Sequence, residues 1–236
     1  MRDHIHTIPV LDALREPGHC PLCVMYNKLD ENAVDFIMGP AYMDEDFRDK
    51  TNEAGFCEGH LVKLHAVQNR LGTALLLHTH LKHIIKNLQS KKPLNPSRLF
   101  KKGNTAAGQF SDYIDGLQKR CYICEKIEET FKRYIDTFFY LWNSEKETVE
   151  LVRALPGFCL PHYGILMQGA EKTLTKKQLD NFLSVVVPLQ QQAMAKVEGD
   201  IDWFIQKFDY RNNDAPWKDS KDAINKVMAM LKGIQV

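Results

Sequence analysis

Gly55-Phe56-Cys57-Glu58-Gly59-His60 and Gly157-Phe158-Cys159-Leu160-Pro161-His162 are two copies of one pattern, GFCxxH, set 102 residues apart. Each is preceded by a Cys-x-x-Cys pair, Cys20-Pro21-Leu22-Cys23 and Cys121-Tyr122-Ile123-Cys124, and these pairs lie 101 residues apart. Leu64 and Leu166 fall four residues after the two histidines. All 6 cysteines are used by this scheme. Order, internal gap and flanking Gly-Phe residues all recur, and this points to an internal duplication. The expected division is a first metal-binding half over residues 1–90, a linker over 91–108, and a second half with a C-terminal helical extension over 109–236.

Apolar spacing makes both halves helical. Leu22, Met25, Tyr26, Leu29, Ala33, Phe36 and Ile37 share one helix face, which Gly39-Pro40 ends. A short helix is expected over Met43–Glu53. A long one then starts near Cys57, with the stripe Cys57, His60, Leu64, Val67, Leu71, Ala74, His78, Leu81, Ile85 and Leu88. Steps of three and four predict that this stripe is the seam of a bundle. In the second half the stripe is Ile127, Phe131, Tyr134, Phe138 and Leu141. Ser144 with Glu147 suggests a capping box, and His162, Leu166 and Ala170 continue the next helix. Thr175 with Gln178 suggests another cap, opening a helix to about Phe208 that Pro188 should kink. A last helix begins after Ser220, and Ile5–Val10 reads as extended. The fold class expected is all-α, a helical bundle of two pseudo-repeated halves, each stapled by its own Cys3His metal site.

Three thiols and one imidazole in each half match a structural zinc set. The ligands expected are Cys20, Cys23, Cys57 and His60 in one half, and Cys121, Cys124, Cys159 and His162 in the other. The gaps between ligand pairs are 33 and 34 residues, and their near-equality favours pairing within halves; an exchanged pairing is the alternative. Both pairs fall at expected helix N-termini, where free N–H groups and the helix dipole favour thiolates. Two Zn2+ per chain are expected, with an iron–sulfur cluster as the rival. A thioredoxin-like redox pair lacks its βαβ context.

Composition narrows the rest. The 236 residues carry 31 Lys plus Arg against 30 Asp plus Glu, a net charge of +1. That balance gives no strong nucleic-acid signal. No apolar run is long enough for a signal peptide or a membrane span, so a cytoplasmic protein is expected, with its thiols reduced. The linker holds Lys91, Lys92, Arg98, Lys101 and Lys102, read as a solvated basic run. Among 9 histidines, His78, His80 and His83 could form a second site, but a hydrogen-bonded core His78 with His80 and His83 exposed is favoured; His4, His6 and His19 show no partner pattern. The aromatic stretch from Trp203 to Trp217 reads as packing at a helix end. No nucleotide, hydrolase or metalloprotease motif occurs.

Several stretches resemble a prokaryotic family of uncharacterised proteins with duplicated CPxC and GFCxxH motifs, a domain of unknown function. They are Ile8–Ala13, Cys20–Cys23, Gly55–Cys57 with His60, Arg70–Gly72, His78–Leu81, Gly157–His162 and Lys207–Asn212. The chain departs from the family at Tyr122, where the second CxxC lacks its proline. The resemblance implies a shared fold and a cytoplasmic bacterial or archaeal setting. It brings no established activity, and it raises the weight of His78, His80 and the segment Asp209–Arg211. The function expected is a zinc-binding helical protein with structural metal, working through an interaction or regulatory surface. The alternative is a metal-dependent enzyme or redox protein using the Cys3His sites or the His78/His80/His83 region. A closed four-ligand site offers no substrate position, which favours the first. The partner would be a protein or a small molecule, and a homo-oligomer is compatible with the sequence.

Overall fold

A computed structural model describes residues 6–18, 20–90 and 106–234. Among these residues the regular structure is entirely helical. The helices are α1 (Thr7–Arg15), α2 (Pro21–Met38), α3 (Glu45–Ala54), α4 (Glu58–Ala66), α5 (Arg70–Ser90), α6 (Ala106–Lys119), α7 (Tyr122–Ser144), α8 (Lys146–Arg153), α9 (Leu160–Thr173), α10 (Lys176–Gln206) and α11 (Ala223–Lys232). The all-α expectation holds.

The chain forms two compact units, and their limits differ from the expected division near residues 91–108. One unit combines residues 1–28 with 131–236; the other is residues 29–130. The basic run Lys91–Lys102 lies outside the described residues, as do His4 and His19.

In the first unit, Phe138, Phe139 and Phe182 are fully enclosed, and Trp142 nearly so. Phe182 meets Phe139 and Trp142 edge-on, with ring centroids 5.6 and 5.1 Å apart. Of the stretch Ile5–Val10, expected to be extended, Ile5 lies outside the described residues and Thr7–Val10 instead open α1. Val10, Ala13 and Leu14 are buried at helical spacing, and Arg15 pairs with Glu147 at 2.6 Å. Tertiary burial decides the conformation of this short β-branched stretch. Thr175 caps α10 as expected, its N–H donating to Gln178 Oε1 at 2.9 Å. The cap expected at Ser144 does not form. Ser144 still belongs to α7, where its hydroxyl donates to Tyr140 O, and Glu145 occupies the N-cap of α8. The aromatic tail packs as expected: Phe204 contacts Phe208 and Trp217. Lys207 Nζ donates to three carbonyls, of Asn212, Asn213 and Ala215, at 2.5–2.8 Å. Asp209 caps the following turn and pairs with Arg211, so this segment fastens the loop after α10.

In the second unit, α5 packs against α3 and α4. Leu64, Leu76, Ile37, Ile123 and Ile127 are among its most buried aliphatic residues. The seam expected from Cys57 to Leu88 is broken in phase. His60 and Leu64 point inward, but the chain turns at Val67–Asn69, where Gln68 takes a φ of 62°. Asn69 then opens α5 by accepting Gly72 N–H at 3.0 Å. After that turn Gly72 and Leu76 face the core, while Leu71, Ala74, His78, Leu81 and Ile85 are exposed. The outward face of α5 is thus the one expected to be the seam.

Candidate metal centres

Each of the four cysteine boxes opens a helix. Cys57 and Cys159 are the N-caps of α4 and α9, with extended backbone (ψ 165° and 149°). Cys20 and Cys121 directly precede α2 and α7, and their carbonyls accept the N–H groups of Val24 and Glu125. The second ligand of each box is then the third helical residue. N-cap and N3 side chains face one another, as in a capping box. The x2 spacing therefore converges two donors at a helix start, beside unsatisfied N–H groups and the positive end of the dipole.

The boxes come together in exchanged pairs. Cys20, Cys23, Cys159 and His162 form one centre; Cys57, His60, Cys121 and Cys124 form the other. In each, the four donor atoms all lie within 4.8 Å of one another. This corrects the expected pairing within halves. A matched gap in sequence fixes how many residues separate two boxes, not which pair of helix starts meet in the folded chain. The first centre lies wholly in the first unit and the second wholly in the second.

In the first centre, His162 Nδ1 stands 3.2 Å from Cys159 Sγ, 3.3 Å from Cys23 Sγ and 3.8 Å from Cys20 Sγ. Cys23 and Cys159 sulfurs are 3.6 Å apart, far beyond a disulfide bond of about 2.05 Å. Phe131 and Tyr26 flank the imidazole, with centroids 5.5 and 6.4 Å away. Among the described residues no carboxylate meets its Nε2. Cys20, Cys23 and Cys159 also line a cavity of about 210 Å³, with Lys196, Asp200 and Lys226 on its wall.

In the second centre, His60 Nδ1 stands 3.2 Å from Cys57 and Cys121 sulfurs and 3.4 Å from Cys124 Sγ. Its Nε2 lies 2.7 Å from Asp30 Oδ1, and the other oxygen of Asp30 pairs with Lys63. A carboxylate on Nε2 holds the proton there and leaves Nδ1 free for an ion. Asp30 and His60 are both buried.

Without an ion the donors share protons unevenly. Contact with Cys121 lifts His60 to about 9; burial opposes this and Asp30 adds to it. Burial opposes the same rise at His162, but Cys159 and Cys20 carry it to about 9. Burial pushes the Cys124 thiol up to about 12, reinforced by neighbouring Cys121. Cys121 is brought down to about 6, because the hydrogen bond to His60 and backbone N–H groups outweigh burial. Contacts with Cys159 and Cys23 lower Cys20, while contacts with Cys159 and Cys20 raise Cys23. Burial opposes the lowering of Asp30, and Lys63 and His60 prevail.

The Gly-Phe that precedes each ligand pair sets the turn. Gly55 and Gly157 have φ of 64° and 113°, a region that disfavours side chains. A Cβ on Gly157 would come 2.5 Å from Ala193 Cβ, and one on Gly55 would come 2.8 Å from His80 Nε2. Gln190 holds the Gly157 turn from α10: its carbonyl accepts Phe158 N–H and its amide donates to Phe158 O, both at 2.9 Å. At the second centre Tyr122 N–H donates to Gly55 O at 2.9 Å. The equivalent residue at the first centre is Pro21, which has no N–H to give.

Asp30, Lys63 and Gln190 escaped the sequence reading, since a lone carboxylate or amide on a helix carries no spacing signal. The trio His78, His80 and His83 forms no metal-competent cluster among the described residues. His78 is exposed rather than a core residue, and His80 is the hydrogen-bonded one, 2.9 Å from Asn52 O. Its neutral form is favoured by burial. The break at Val67–Asn69 turns His78 outward and His80 inward.

A family model covers residues 1–236. The chain belongs to DUF6062, a family of unknown function. No curated protein matches this DUF6062 chain, and no solved structure does. The fold gathers two Cys/His centres, and each could hold a metal ion. No helix among its described residues is long and apolar enough to cross a membrane.

Proposed function

We propose that the protein binds two zinc ions, one per centre, that these ions are structural, and that the folded chain acts through an interaction surface. The observation that carries this reading is the convergence of three sulfurs and one Nδ1 within 4.8 Å in each centre. A tetrahedron with metal–sulfur bonds of about 2.3 Å has sulfur–sulfur edges of about 3.8 Å. The Cys23 and Cys159 sulfurs stand 3.6 Å apart and the Cys57 and Cys124 sulfurs 3.8 Å apart. An iron–sulfur cluster places its own atoms between its ligands, so this spacing favours one ion. Four protein donors complete a zinc shell and leave no open position, which supports a structural role over a catalytic one. Six free thiols fit a reducing, cytoplasmic setting.

Anaerobic purification followed by elemental analysis and a visible spectrum tests the reading. Two zinc ions per colourless chain are expected. Iron with strong absorbance at the blue end would overturn it, and so would one ion per chain.

A further inference from the structure

Helix α5 presents a second feature that the metal centres leave unused. Leu71, Leu81 and Ile85 are 62%, 56% and 45% exposed, and Ala74 and His78 between them are exposed too. These five follow each other by steps of three, four, three and four, the spacing of a and d positions in a two-helix seam. They span 14 residue steps, about 21 Å of helix. Gly72 and Leu76, which are buried, lie on the opposite side. The stripe is therefore not a core face left ajar, because α5 has a separate face for its own core.

The charge carried by α5 itself is one-sided. From Gly59 to Ser90 there are Lys63, Arg70, Lys82 and Lys86 and no Asp or Glu, in a chain whose net charge is +1. At 100° per residue Lys82 and Lys86 border one edge of the stripe and Arg70 the other. Among the described residues none of these three has an ion-pair partner on the protein.

We propose that this face of α5 is a docking surface for an acidic amphipathic helix of a partner protein, with its apolar a/d residues on Leu71, Ala74, His78, Leu81 and Ile85 and its carboxylates against Arg70, Lys82 and Lys86. The knob spacing calls for a helix. The cationic borders select an acidic one, and they set like charges against each other in a pair of identical copies. Residues 70–90 also lack the Trp and Phe typical of helices that lie in a lipid interface. The inference locates the interaction surface assumed above and rests on that reading. Metal content separates the two, since a stripe variant keeps its zinc whether or not it binds.

The test is fluorescence anisotropy with the full-length protein and a labelled synthetic four-heptad peptide, leucine at a and d, glutamate at e and g. Saturable binding that weakens with salt is expected. Leu81→Glu should weaken it roughly tenfold or more, as expected for losing a buried leucine contact. Phe208→Glu, at an exposed apolar site in the other unit, should not. Arg70→Glu with Lys82→Glu should lose the glutamate peptide and gain its lysine counterpart. The proposal is overturned if the glutamate peptide does not bind, or if Leu81→Glu binds it unchanged. It is equally overturned if the stripe variants abolish binding to phosphatidylserine vesicles or self-association in sedimentation while peptide binding is absent.

Discussion

The two centres share one donor set and differ in what surrounds it. At the second, a buried carboxylate stands behind the ligating imidazole and a backbone hydrogen bond ties its two boxes together. At the first, aromatic rings flank the imidazole, a proline replaces the bonding N–H, and three sulfurs line a cavity. The same four ligands can therefore be held by a polar network in one unit and by packing in the other. Box spacing thus selects the four donors of each centre, whereas residues outside the boxes decide what surrounds them.

The largest effect should come from cutting a ligand. Structural zinc contributes an apparent ~10–16 kcal/mol in small peptides, and less is expected where a helical core remains. Cys159→Ser should lower zinc content by one ion and reduce thermal stability. It should also make Cys20 and Cys23 reactive to alkylation while Cys121 and Cys124 stay protected. Mass-spectrometric mapping reads this directly, and the reverse protection pattern would break the exchanged pairing. The turn glycines come next. Gly157→Ala meets Ala193 on a packed helix, whereas Gly55→Ala meets a side-chain ring. Backbone strain of this kind costs about 1–3 kcal/mol, and chemical denaturation should place Gly157→Ala at the upper end. Asp30→Asn sharpens the contrast at least cost to the fold. Loss of an outer partner typically weakens a metal site about 10–100-fold, so competition with a chelator should show one weakened ion and one unchanged.

Acidification should affect both centres with the same sign. Each histidine, lifted to about 9 in the absence of an ion, carries a proton at neutral pH that binding must expel. Affinity therefore falls as pH drops below that value. A chromogenic indicator should register the first release from the cavity-lined centre; simultaneous release would show that the surroundings do not matter.

Much of this was legible in the residues alone. The helical class followed from spacing of three and four, and the repeated boxes named the eight residues that the fold gathers into two Cys/His clusters. What spacing could not supply was partner choice between boxes, because equal gaps are equally compatible with either pairing. The phase of α5 was illegible for a related reason. Three residues, Val67–Asn69, rotate the helix away from the stripe that precedes them, and Gln68 at positive φ carries no Gly or Pro signal. Asp30 and Gln190 act at a distance in sequence, 30 and 32 residues from the groups they hold.

The exchanged pairing also imposes an order on biosynthesis. The second centre draws its donors from residues 57–124, a span nested inside the 20–162 span of the first. On a ribosome, Cys57, His60, Cys121 and Cys124 are all synthesised before Cys159 exists. Cys20 and Cys23 emerge early but wait through 136 further residues for their counterpart. In a nascent chain the inner set of donor residues is therefore available first, and the outer set is complete only once His162 has been translated.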